Sequence, residues 1–276
     1  MESDPVILIR SGLAEEDEIT SAIDIFGTAN VFTSRCKLGL AKPGSMVVGR
    51  YSCLPWYKEL EEDLQAFGCR VINTHRQHAY VADLRNWYED LEGLTPKTWF
   101  ELSAVPKDGG PFVLKGETNS AKFLFDTHMY AANYNAVMEV YSRLSKDNLI
   151  GQQDIYVRKY EPLVKLADGL HGLKIAEEYR FFVYKRKVIC GGFYWASHID
   201  DITETVTVPD PSVVPQKFLE EVIDRIQDQC NFYTIDVARK QDGTWTVIEL
   251  NDGCQAGLSC IPAKAFYESL YKAIKA

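Results

Sequence analysis

The sequence predicts a mixed architecture: a small parallel α/β domain followed by a larger α+β domain built from antiparallel hairpins. Three observations support this prediction. Strand-like and helix-like segments alternate over residues 1–92, hairpin patterns dominate the remainder, and 276 residues with 46% hydrophobic side chains are enough to bury a sizeable core.

Short apolar strands and amphipathic helices alternate in the first part. The predicted elements are a strand over residues 5–9, a helix over 15–26, a strand over 46–48, a helix between Pro55 and Gly68, and a strand over 70–73. Alternation of this kind places parallel strands side by side. The glycine and proline at Gly93 and Pro96 are typical of a joint, so we expect the first domain to span residues 1–92.

After residue 93 the pattern changes to hairpins separated by helices. We expect strands over 112–115 and 155–160, a helix over 134–144, a hairpin of 178–183 with 188–195, a helix over 218–226, a hairpin over 232–252 and a C-terminal helix over 266–274. The sequence shows no internal repeat.

Charge and cysteine usage exclude several classes of protein. The chain has 39 acidic and 30 basic residues and a net charge of −9, which disfavours duplex nucleic acid and anionic membranes as partners. No apolar run approaches the ~18 residues of a spanning helix, and the first residues lack the features of a secretion signal. Seven cysteines without a Cys-x-x-Cys pair indicate a reduced, cytoplasmic protein.

The second hairpin carries the strongest chemical signal. Asp242 and Gly243 form the favoured dipeptide of a two-residue type I′ turn. With that turn, Asp236 lies directly opposite Glu249, and Asn251 lies on the same face two residues further along. The intervening residues, which we expect on the opposite, apolar face, are Ile235, Val237, Ile248 and Leu250.

Two carboxylates in directly opposed positions repel each other because their Cβ atoms are only ~4.5–5.5 Å apart. A hard cation relieves the repulsion, since Mg²⁺ takes one or two carboxylates and completes its shell with substrate phosphates. The alternative is a solvent-facing sheet with scattered acidic residues. That alternative leaves unexplained why Asp236, Glu249 and Asn251 converge, so the hairpin predicts a divalent-metal site.

A phosphate-bearing substrate requires cationic side chains. Lys115 ends a strand and precedes a small polar loop, an arrangement that can hold phosphate, although a simple surface lysine is the alternative. Arg180 alternates with Glu178 on one strand and suits a phosphoryl or carboxylate group; a Glu178–Arg180 ion pair is the alternative. The sequence contains neither a P-loop nor a Gly-x-Gly-x-x-Gly motif.

The order of these segments resembles the ATP-grasp superfamily. The strand, lysine and loop of 112–120, the segment Tyr156–Leu163, the Glu178–Phe182 strand and the Asp236…Glu249-x-Asn251 hairpin follow one another as in that family, most like small ATP-grasp proteins of bacteria and phages. The resemblance covers residues 90–262, and residues 1–92 resemble the preceding pre-ATP-grasp domain.

This resemblance implies a fold in which two α+β subdomains clamp a nucleotide, with a smaller lid at 93–163 and a metal-binding subdomain at 164–276. It implies use of ATP with Mg²⁺, or alternatively Mn²⁺. Members of the family typically phosphorylate a carboxylate, and an amine then attacks the acyl phosphate. The implied partners are therefore small-molecule or peptide carboxylates and amines.

The resemblance also implies roles for individual residues. The implied nucleotide-binding residues are Lys115, Ser120, Arg158, Lys159, Tyr160, Glu161, Glu178 and Arg85, the last standing where many ligases have a lysine. The implied metal ligands are Asp236, Glu249 and Asn251, and the implied catalytic residues are Arg180 and Lys115. Lys97 and Lys122 are further candidates for phosphate, and Arg50, Arg76 and Arg239 for the acceptor carboxylate. A kinase on the same fold and a non-catalytic nucleotide-binding module remain as alternative functions.

Overall fold

The structure, a computed structural model, describes residues 3–169, 173–195 and 207–276. It begins with a four-stranded, fully parallel sheet in the order β2-β1-β3-β4. The elements of this part are β1 (Val6–Leu8), α1 (Glu16–Phe26), β2 (Val31–Phe32), β3 (Met46–Val48), α2 (Tyr57–Ala66), β4 (Arg70–Val71), α3 (His75–Ala82) and α4 (Leu84–Trp87). The parallel α/β arrangement expected from the alternating pattern is confirmed.

The sequence explains these short elements. All three residues of β1 and of β3 are buried, as expected for parallel strands covered on both faces. At the start of α3, Thr74 accepts a hydrogen bond from Gln77 N while the Gln77 side chain accepts one from Thr74 N, so two backbone donors of the first turn are satisfied.

A second sheet of four antiparallel strands follows, in the order β5-β8-β6-β7. Its elements are β5 (Thr98–Trp99), β6 (Phe112–Gly116), β7 (Tyr130–Ala131), α5 (Tyr134–Leu144) and β8 (Ile155–Lys159). Phe112 and Leu114 pack into the small core that includes α5, whereas Val113 and Lys115 line a cleft on the opposite face. The two-residue period of the strand therefore directs Lys115 into the cleft.

The third sheet is the largest and is antiparallel, in the order β12-β11-β13-β14. The remaining elements are β9 (Lys165–Asp168), β10 (Lys174–Ala176), β11 (Glu178–Tyr184), β12 (Lys187–Phe193), α6 (Gln216–Ile226), β13 (Phe232–Arg239), β14 (Trp245–Asp252) and α7 (Ala263–Lys275). One face packs on α6, and part of the other continues into the core of the N-terminal sheet through residues such as Phe182 and Phe232. In the described ranges, no helix is both long and apolar enough to cross a bilayer.

The β13–β14 hairpin confirms the expected pairing of Asp236 with Glu249, but by a different route. Lys240 N donates to Thr244 O at 2.8 Å, so the loop has three residues rather than two, and it ends at Gly243 with a φ of +84°. A bulge between Asp236 and Val237 then restores the register.

The same bulge corrects the prediction for Ile248. Ile248 lines the cleft together with Glu249, and Val247 takes the place in the apolar core that we expected for Ile248. Ile235, Val237 and Leu250 lie in that core as expected.

Candidate active site

A cleft of about 1020 Å³, counting its part open to solvent, lies between the second and third sheets. Its size suits a small-molecule ligand. Its lining is partly apolar and partly charged, and comprises Pro96, Val113, Lys115, Ser120, Lys122, Phe125, Met129, Arg158, Lys159, Tyr160, Glu161, Leu163, Lys165, Leu173, Lys174, Ala176, Glu178, Trp195, Ile248 and Glu249.

Lys115 and Glu249 form a buried ion pair that connects the two sheets across the cleft. Burial alone raises the pKa of Glu249, but the charges of Lys115 and Lys122 outweigh it and hold the pKa at about 2. Burial also lowers the pKa of Lys115, against the opposing effect of Glu249. An ionised carboxylate thus faces two lysines inside the cleft.

Asp236 is fully buried and accepts a two-pronged interaction from Arg180, with Nε–Oδ1 at 2.8 Å and Nη2–Oδ2 at 2.6 Å. The two residues are neighbours across β11 and β13. Burial lowers the pKa of Arg180, but Asp236 outweighs it, and the net shift is upward. Arg180 is therefore a fixed cation, and it pairs with Asp236 rather than with Glu178.

Glu178 is 3% exposed, and its Oε1 atom has no hydrogen-bond partner among the described residues. Burial raises the pKa of Glu178 to about 7, with Asp236 and Glu249 adding to the rise and Lys122 opposing it. A buried carboxylate that lines a cleft and lacks a partner is costly to the folded protein. Such a group indicates a ligand that supplies positive charge or hydrogen-bond donors.

The donor set fits a hard cation. Glu178 has the unpartnered oxygen, Glu249 lines the same cleft, and the Asn251 side chain hydrogen-bonds Glu249. Mg²⁺ accepts such oxygen ligands together with phosphates. Within the described residues, no group of three or more His, Cys, Asp or Glu is arranged to hold a metal alone. The repulsion that we expected between Asp236 and Glu249 is relieved here by Arg180 and Lys115.

Most of the predicted nucleotide-binding residues line this cleft, namely Lys115, Ser120, Arg158, Lys159, Tyr160, Glu161 and Glu178. Arg158 also joins the two sheets: its Nη1 donates to Ile248 O and its Nη2 to Thr95 Oγ1, both at 2.7 Å. Its Nε has no partner within the described part of the chain, so a donor remains for a ligand.

The structure places other candidates elsewhere. Arg85 lies outside the cleft lining, where it is close to Asp154 and Glu101 and packs over the ring of Phe100. The sequence could not show this, because Asp154 is distant along the chain. The exposed Lys97 also lies outside that lining.

Arg50, expected as an acceptor-binding residue, is 0% exposed. It binds Glu18 at 2.8 and 3.0 Å and donates to the carbonyl oxygens of Gly253 and Ala256. These contacts tie the N-terminal part to the loop that follows β14. Arg50 is thus neither a substrate-facing nor a surface residue, and both predictions for it were wrong.

A second cavity, of about 1090 Å³ counting its open part, lies on the other side of Arg180. Its lining includes Arg180, Tyr194, residues 257–263 and the start of α1. Tyr194 and Trp195 were not among the residues predicted from the sequence. The only available signal was their position directly after a predicted strand, which does not distinguish a site from a core.

Residues 97–270 match the model of an ATP-grasp domain family, the third family of its clade. The match spans more than half of the chain, and the protein belongs to this ATP-grasp family. The expected superfamily and fold are confirmed. Membership supports ATP-dependent ligase activity in general terms.

Solved structures with low sequence identity share the fold. A RimK-domain ATP-grasp protein from Sphaerobacter thermophilus has 17% identity and a TM-score of 0.61, over 99% of this chain and 100% of that one. The ATP-grasp ligase PsnB with its minimal precursor has 13% identity and a TM-score of 0.62 over 99% and 100%. D-alanine–D-alanine ligase from Bacillus anthracis, complexed with ATP, has 14% identity and a TM-score of 0.58 over 98% and 95%. No curated protein matches the sequence.

Proposed function

We propose that this protein is an ATP-dependent ligase that joins a carboxylate to an amine through an acyl phosphate. The observation that carries the proposal is the buried set of charges in the cleft, where Lys115, Lys122 and Glu249 meet between the two sheets. Cations fixed in this way suit a triphosphate, and membership of an ATP-grasp family agrees with them.

In this proposal the two lysines neutralise the phosphates, and the segment of Arg158, Lys159, Tyr160 and Glu161 borders the base and ribose. Ser120 adds a hydroxyl to the phosphate side. Arg158 keeps the sheets together through Ile248 O and Thr95 Oγ1. These groups are held by packing before the nucleotide arrives, so little reorganisation is needed on binding.

Asp236, Glu249 and Asn251 are the proposed metal-binding set, with Glu178 as a further carboxylate. Bound Mg²⁺ would neutralise charge on the transferred phosphoryl group. One ATP-grasp ligase of similar fold has been solved with Mg and ADP, which supports the choice of ion. Asp236 also keeps Arg180 in place, because its two oxygens accept from two guanidinium nitrogens.

The chemistry proceeds in two displacements. A carboxylate oxygen of the acceptor attacks the γ-phosphorus, and the bond from phosphorus to ADP breaks. The amine then attacks the acyl carbon, the bond to phosphate breaks, and the amine proton passes to solvent as inorganic phosphate leaves. Arg180 stabilises the charge that develops on the phosphoryl or acyl oxygens.

The second cavity is the proposed binding region for the carboxylate and the amine, because Arg180 lines it. Glu15 and Asp17 also line it, which favours a substrate with an amino group. PsnB was solved with a precursor peptide, and the enzyme from Bacillus anthracis is a D-alanine–D-alanine ligase. Both peptide and small amino acid acceptors are therefore reasonable first tests.

We also propose the domain division 1–92, 93–163 and 164–276, which agrees with the grouping of the three sheets. A reducing, cytoplasmic location is supported by seven free cysteines.

The test is nucleotide turnover with a pool of amino acids and short peptides, in which ADP and inorganic phosphate are measured together. A ligase releases both in equal amounts, and only when carboxylate and amine are present. ADP with a phosphorylated product but no inorganic phosphate would indicate a kinase instead. ATP binding without turnover would indicate a nucleotide-binding module.

Lys115→Met is the informative variant, with Lys97→Met as its matched control. Lys115 lies in the cleft, whereas Lys97 is an exposed lysine of the same region outside the cleft lining. The expected result is loss of turnover in the first and normal turnover in the second. Equal activity of the two variants would contradict the assignment of Lys115.

A further inference from the structure

Tyr194 directly follows β12 and has contacts that its position in the sequence does not suggest. Its backbone N donates to Glu178 O at 2.9 Å, which fixes the residue against β11. Its side chain lines the second cavity, while its hydroxyl accepts a hydrogen bond from Lys122 Nζ, which lines the nucleotide cleft. Tyr194 therefore forms part of the wall between the two cavities.

Two cations from different parts of the chain pack on this single ring. Lys122 Nζ lies 4.3 Å from the ring centroid, and Arg180 Cζ lies 4.8 Å from it. Lys122 belongs to the loop between β6 and β7, whereas Arg180 belongs to the large sheet. Both distances are within the range of cation–π attraction, which is strongest where water is excluded.

Bringing two cations together is unfavourable unless negative charge compensates it. Asp236 neutralises Arg180 directly, and Glu178 and Glu249 provide further negative charge near Lys122. The ring supplies an attractive surface to both cations, and the hydroxyl fixes the direction of Lys122. The aromatic ring and the hydroxyl thus make separable contributions.

We propose that Tyr194 is a positioning residue that holds Lys122 and Arg180 together at the wall between the nucleotide cleft and the second cavity, where both face the terminal phosphate of ATP. The proposal rests on the proposed nucleotide site. It assigns to Tyr194 a preference for triphosphate over diphosphate, because the two cations that it orders act on the phosphate that ADP lacks.

The test is calorimetric binding of ADP and of a non-hydrolysable ATP analogue, each with Mg²⁺. Tyr194→Phe keeps the ring and removes only the hydroxyl. We expect it to weaken binding of the ATP analogue about five- to tenfold and binding of ADP less than about twofold, as for the loss of one hydrogen bond to a charged group. Tyr194→Leu removes ring and hydroxyl, and we expect a further loss for the ATP analogue together with a lower kcat.

Tyr179→Phe is the matched control. It removes a tyrosine hydroxyl from the same strand pair, but that hydroxyl donates to Glu177 and the ring packs in the core on the opposite face. We expect both affinities to stay at the wild-type level. Thermal unfolding of all three variants checks that the fold is retained, and Tyr194→Phe keeps the test valid if the leucine variant unfolds.

Wild-type affinity of Tyr194→Phe for the ATP analogue, or an equal loss for ADP and the analogue, would overturn the role of Tyr194 and leave the ligase proposal standing. A wild-type protein that binds neither nucleotide would overturn both.

Discussion

The buried carboxyl of Glu178 provides a quantitative prediction. We expect Glu178→Gln to raise the free energy of unfolding at pH 8 when neither nucleotide nor Mg²⁺ is present. The reason is that burial raises the pKa of Glu178 from its usual 4.5 to about 7, and Oε1 has no partner among the described residues. Glutamine has nearly the same shape but carries no charge, so it avoids the cost of a buried anion.

The magnitude follows from proton linkage. Below pH 4.5 the carboxyl is protonated in both the folded and the unfolded protein, and it costs nothing. As pH rises from 4.5 to 7 the unfolded chain loses its proton first, so stability falls, and above pH 7 the full penalty is present. At ~1.4 kcal/mol per pKa unit, that penalty is on the order of 3 kcal/mol. The glutamine amide keeps an unsatisfied polar atom, so a net gain of about 1–3 kcal/mol remains at pH 8.

The assay is urea unfolding of both proteins at pH 8 and pH 5.5. The advantage of Glu178→Gln should shrink by on the order of 2 kcal/mol at the lower pH. Glu177→Gln is the control, because the Glu177 carboxylate already accepts from the Tyr179 hydroxyl and lies near Arg239. It should gain no stability at pH 8. An advantage of Glu178→Gln that is equal at both pH values, or a loss at pH 8, would refute the reasoning.

Three other variants test particular contacts. Arg50→Ala leaves the buried Glu18 without its cation, and urea unfolding should show a loss of about 3–5 kcal/mol; normal stability would contradict the structural role of Arg50. Gly243→Ala places a side chain at a φ of +84° and should cost about 1 kcal/mol in the same assay, whereas no cost would argue against the three-residue loop. Arg158→Lys loses the fork that joins Ile248 O to Thr95 Oγ1, so calorimetry should show roughly tenfold weaker ATP binding, and unchanged affinity would remove Arg158 from the site.

The sequence predicted local geometry well where the pattern is periodic. Alternation along β6 separates Phe112 and Leu114 from Val113 and Lys115, and the structure follows that alternation. The pairing of Asp236 with Glu249 was also correct, but only because a longer loop and a bulge compensate each other. A bulge has no reliable sequence signal at this position, so Ile248 was placed on the wrong face.

Contacts between distant segments were beyond the sequence. The partner of Asp236 is Arg180, which reaches it through the pairing of β11 with β13, and nothing local to either residue specifies that pairing. Arg50 follows a strand like many surface arginines, and only the docking of residues 253–256 buries it. The position of Tyr194 between two cavities likewise depends on three separate segments of the chain.

The central claim is that Mg²⁺ and ATP bind between Lys115 and the β13–β14 hairpin. Calorimetry of Glu249→Gln with a non-hydrolysable ATP analogue, with and without Mg²⁺, tests this claim most directly. Asp242→Asn, at the exposed tip of the same hairpin, is the control. We predict that Glu249→Gln loses the Mg²⁺-dependent part of the affinity, on the order of 50-fold, while Asp242→Asn binds like the wild type. Equal Mg²⁺-dependent binding by Glu249→Gln and the wild type would contradict the account.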